Sequence, residues 1–121
     1  MTTAFGNEST TSIDGPVSNA TINNPRGISF HPITQEIYIA ENGGGNIRAW
    51  NRTSQTVRTI VSLGSWYPLY LDFFSDGTLY ITTNKGLDKL FTNGMYFRLL
   101  QMIINLYILI LNRNLGSIYP K

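Results

Sequence analysis

The 121-residue sequence has no cysteine and one histidine, His31, and only 13% of its residues are charged. Without cysteine there can be no disulfide framework, thiolate zinc site or thiol nucleophile, so any metal would need oxygen ligands or His31. Charge of neither sign accumulates. Nine Lys and Arg against seven Asp and Glu leave a net +2, with the bases scattered singly. No stripe able to neutralise many phosphates results, and nucleic-acid binding is not expected. The start, MTTAFGNESTTSIDG, lacks a basic region followed by an apolar one and does not read as a secretory signal. The longest uncharged apolar stretch, Leu99 to Leu111, has 13 residues, short of the roughly 18 to 20 that cross a bilayer.

What remains is enough for a folded core: 42% hydrophobic and 12% aromatic residues, with 11 glycines and five prolines in no three-residue period. Three zones follow one another. Residues 1–24 are rich in Thr, Ser, Asn and Gly, carry only Glu8 and Asp14 as charges, and read as a polar connection. N-x-[ST] triplets occur at Asn7, Asn19 and Asn51, against about two that so much Asn, Ser and Thr produces by chance, so they decide nothing. Residues 25–94 consist of short apolar runs between turn signals. Residues 95–121 hold Arg98, Arg113 and Lys121 but no acid.

The middle zone predicts strands at Gly27 to Phe30, Glu36 to Ala40, Asn46 to Asn51 and Thr56 to Ser62. In the last two, Ile47 and Ala49, and Val57, Thr59 and Val61, recur with the period of two expected when one face is buried. Links this short make an antiparallel meander. The pattern then repeats. Pro25, Ile28 and Phe30 recur 43 positions later as Pro68, Leu71 and Phe73, and Ile37-Tyr38-Ile39 recurs 42 later as Leu79-Tyr80-Ile81. Ile47 and Trp50 recur 40 later as Leu87 and Leu90. Four strands per unit at a period of about 40 predict all-β, antiparallel four-stranded propeller blades, one at 25–62 and a partial one at 67–94.

Pro25-Arg26-Gly27-Ile28, Tyr38-Ile39-Ala40-Glu41 and Ile47-Arg48-Ala49-Trp50 resemble the start, centre and third strand of a blade in the NHL-repeat β-propellers. The lead-in from Ile13 to Asn23 resembles the connection that precedes such a blade. In the second copy Tyr70 stands where the family has Gly, and Thr82-Thr83 replaces an Ala-acid pair. Gln35 and Gln55 occupy turn positions where the family has Gly, which implies a positive φ and a cost of about 1 kcal/mol at each. Such a ring needs at least four blades, so the resemblance implies an incomplete propeller, part of a larger assembly.

After Gly94 a fourth strand of the second copy is due, but Arg98, Gln101, Asn105 and Asn112 are spaced as one helical stripe. The expectation is therefore a divergent, apolar, helical tail over 95–121.

No catalytic constellation, metal set or cofactor is implied. His31, beside Pro32, reads as a turn residue, and Trp50 as core. Glu41 and Asp72 sit where propeller hydrolases gather oxygen ligands, but those sites draw on several blades. The leading expectation is a non-catalytic NHL-type binding scaffold, with a protein partner or self-association through open blade faces. Arg26, Arg48, Trp66, Tyr67 and Tyr70 are its candidate contact surface. Two alternatives are part of a propeller hydrolase resembling gluconolactonases, and a repeat protein attached to a membrane through residues 95–111.

Overall fold

The computed structural model describes residues 2–98 and 108–112. Its strands are β1 (Gly15–Pro16), β2 (Pro25–Phe30), β3 (Ile37–Glu41), β4 (Asn46–Asn51), β5 (Thr56–Ser62), β6 (Pro68–Phe73), β7 (Leu79–Thr83), β8 (Leu87–Leu90) and β9 (Tyr96–Arg98). They form two antiparallel sheets, ordered β1-β5-β4-β3-β2 and β6-β7-β8-β9. The fold is thus all-β. β2 to β5 and β6 to β9 are each a meander joined by short turns, and β1 adds to the outer edge of β5.

Those turns are written in side chains. Between β2 and β3 the His31 Nδ1 accepts from the backbone N–H of Ile33 and of Thr34, both at 3.2 Å, so His31 is a turn residue. Between β4 and β5 Asn51 Oδ1 accepts in the same way from Thr53 and Ser54. Gln35 and Gln55 close these two turns with φ of 64° and 55°, the positive values expected at both.

The two sheets share their registers. Ile37 pairs with Trp50 as Leu79 pairs with Leu90, and β2 and β6 each bulge at the same point, between Pro25 and Gly27 and between Pro68 and Tyr70. All five residues of β3 are buried, because this strand lies inside its sheet and is covered on both faces. The sheets meet through Tyr38, Ala40, Ile47 and Ala49 of the first and Leu71, Leu79 and Ile81 of the second. Small side chains let the backbones come close. A Cβ on Gly27 would lie 2.8 Å from the Leu69 carbonyl oxygen and 2.9 Å from Tyr70 Cα.

Three expectations change. Strand β9 pairs with β8, Asp88 opposite Arg98, so residues 96–98 complete the second sheet and the tail cannot begin at 95. A strand wins there because the open edge of β8 offers backbone partners that a helix would leave unpaired. A bulge between Ile47 and Arg48 also breaks the alternation of β5. Val61 pairs with Ile47, on the face opposite Val57. Finally, residues 13–21 are not merely a connection: β1 pairs with β5, and Ile13 bridges to Thr21. Residues 108–112 are helical, and the rest of the expected tail helix lies outside the described residues. Among those described, no helix is long and apolar enough to cross a membrane.

Candidate functional site

The five candidate contact residues occupy four separate places. Arg26 is exposed and lines a cleft of about 340 Å³ on the first sheet's outer face, beside Ile28, Ile39, Trp50 and Phe5. This face is apolar but only partly covered: Phe5 packs edge-on against Trp50 at 5.6 Å, whereas Ile28 and Phe30 remain 67% and 52% exposed. A larger cleft nearby, about 640 Å³, is lined mainly by polar residues of the amino-terminal loop such as Asn7, Glu8 and Asn23.

Arg48 does not belong to any contact surface; its side chain is fully buried. Strand alternation puts it on the same face as Ile39, its partner across β3 and β4, and a cation there must be compensated. Its Nη1 donates to Glu41 Oε2 at 2.5 Å and to the Thr21 carbonyl at 3.0 Å. Nη2 reaches the Ile13 carbonyl and Asp14 Oδ1, each at 2.9 Å. Glu41 in turn accepts from the Ser12 hydroxyl, Asn46 Nδ2 and the Asn23 backbone N–H. This network latches residues 12–23 onto the first sheet. Its carboxylate oxygens are occupied, so Glu41 has no lone pair presented to a substrate.

Trp66 and Tyr67 lie in the connection between sheets. The Trp66 ring stacks under the Arg98 guanidinium at 3.8 Å, with the Lys85 ammonium 5.3 Å away. Tyr67 is exposed, and its backbone exchanges hydrogen bonds with Asn84. Tyr70 is 67% exposed on the far face of the second sheet, away from all the others.

Two titratable sites were not visible in sequence. The Tyr96 hydroxyl donates to buried Asp88, and burial together with that carboxylate pushes its pKa far above the usual value. Burial also raises the Tyr38 phenol, against the pull of Arg58, which forms an ion pair with Glu36 at 2.9 Å. Tyr38, Arg58 and His31 line a cleft of about 300 Å³ between the sheets. Among the described residues no group of three or more His, Asp or Glu is placed to hold a metal ion.

No protein-family model matches the chain, and no curated protein matches it.

Proposed function

We propose that the chain is a non-catalytic, NHL-type propeller piece that acts as a binding scaffold. The observation that carries this reading is the arrangement of the two sheets. Each runs in sequence order away from its first long strand, and those strands, β2 and β6, lie side by side with Gly27 against the Leu69 and Tyr70 backbone. That is how neighbouring blades sit around an axis. The partly covered outer face of the first sheet, with Ile28, Phe30 and Arg26, is then the side that receives a neighbouring sheet or a protein partner, as repeat folds commonly do.

The hydrolase reading has less support. Glu41 is consumed by Arg48, Ser12, Asn23 and Asn46, and Asp72 stands exposed, with no group of three or more His, Asp or Glu placed to hold a metal ion among the described residues. The deciding experiment assays opening of a δ-lactone by the full chain with added calcium or zinc. No turnover above buffer is expected. Turnover that Glu41→Gln abolishes would transfer the reading to a propeller hydrolase.

A further inference from the structure

The inner face of the first sheet, which receives the second sheet, carries small residues at four positions, Gly27, Ser29, Ala40 and Ala49, beside Tyr38 and Ile47. At the equivalent positions the second sheet carries Tyr70, Asp72, Thr82 and Lys89 on its open face. A third sheet cannot approach Tyr70 as β6 approaches Gly27, where even a Cβ would meet backbone at 2.8 Å. A third sheet therefore cannot seat against β6 as closely as β6 seats against β2.

The face nonetheless carries a partner's requirements. Two cross-strand rows lie on it, Asp72–Tyr80–Lys89, which runs on to Phe97 of β9, and Tyr70–Thr82–Leu87; within β6, β7 and β8 each is disposed about β7. Tyr70 is 67% exposed and Leu87 36%. Asp72 and Lys89 have no ion-pair partner among the described residues; the Lys89 ammonium rests over Phe91 at 4.3 Å and over Tyr80 at 5.4 Å.

Adjacent strands are evenly spaced, so each row can be reflected about β7. A two-fold axis along β7 lays Asp72 of one copy over Lys89 of the other and Tyr70 over Leu87, twice each. Tyr80 and Thr82 then meet their own counterparts. The face is complementary to itself in charge, and it sets Tyr70 against Leu87.

We propose that two copies of this chain pair face to face through β6, β7 and β8 of the second sheet, as an isologous, aligned sheet-on-sheet dimer. This inference uses only the sheet's geometry and does not need the propeller reading.

The test is sedimentation equilibrium of the full chain at micromolar concentrations, with two charge reversals at exposed or half-exposed positions. The wild type is expected to be a dimer. Asp72→Lys and Lys89→Asp each set like charges against one another twice per dimer, so each weakens association by at least about tenfold. Mixing the two single variants restores a one-to-one heterodimer, because both contacts are then Lys against Asp, and the double variant D72K/K89D dimerises again by itself.

A monomer at all concentrations, as when another segment of the same chain covers the face, overturns the proposal. So does a dimer indifferent to both reversals, a mixture that fails to associate, or a species that lengthens with concentration. Circular dichroism of the double variant separates lost association from lost folding.

Discussion

Arg48 and Glu41 form an ion pair in which neither side chain is exposed, 2.5 Å between Nη1 and Oε2, and it holds the amino-terminal segment against the first sheet. Removing one member strands the other charge away from water. Arg48→Met is therefore expected to cost about 3–5 kcal/mol, a large share of what a small domain has. Urea denaturation followed by tryptophan fluorescence reads the shift in midpoint. A loss below about 1 kcal/mol would mean that water reaches Glu41.

Gly27 is the counterpart of that latch on the sheet's other side. An added methyl at this position would run into the Leu69 carbonyl and Tyr70 Cα, both backbone atoms that cannot rotate aside. Gly27→Ala is expected to destabilise by about 1–3 kcal/mol. Because Trp66 packs against the core between the sheets, its emission should move to the red well below the global transition. Unchanged stability would show that the sheets can slide apart without loss.

How much of this could be read from residues alone follows from where the physics is local. The strands β2 to β8 and their turns were legible because alternation and turn chemistry are properties of short segments: Asn51, Gln35 and Gln55 act within three or four residues of themselves. β9 was not, because Tyr96 to Arg98 is three residues long, its apolar content suits helix and strand alike, and only the waiting edge of β8 decides. Arg48 was misplaced on a surface for a related reason. Its compensating partners, Asp14, Thr21 and Ile13, come from a segment 27 to 35 residues away, and no spacing rule connects them. The signal that could have found it is the alternation that puts Arg48 beside Ile39 and Ile37 on one face.

Gln35 and Gln55 adopt the left-handed region, which costs an L side chain roughly 1 kcal/mol and glycine almost nothing. Gln35→Gly and Gln55→Gly are each expected to stabilise by about 0.5–1 kcal/mol, and to add, since the turns are separate. The gain is net of weak exposed hydrogen bonds from each amide to the Pro32 and Arg52 carbonyls. Differential scanning calorimetry of the single and double variants reads the rise in Tm. A fall in Tm would mean that those amide bonds outweigh the backbone strain.

Tyr96 gives the chain a specific alkaline weakness. Burial first, and then its hydrogen bond to Asp88, hold the folded-state phenol above the usual 10.0. The folded state therefore keeps this proton at a pH where the unfolded chain has released it. Below pH 10 the two states bind it equally and the interaction's full contribution is present. As pH rises from 10 toward the folded-state value, stability falls by up to about 1.4 kcal/mol per pH unit for this one group. Tyr96→Phe removes that slope but leaves Asp88 worse off, since its Oδ1 already lacks a partner and Oδ2 would lose the phenol. The variant should be less stable than wild type at neutral pH by about 1–3 kcal/mol. The gap should narrow steadily above pH 10, while the slope contributed by Tyr38 stays common to both. Urea midpoints measured from pH 7 to 11.5 test this, and parallel profiles for the two proteins would show that Tyr96 titrates as an ordinary exposed phenol.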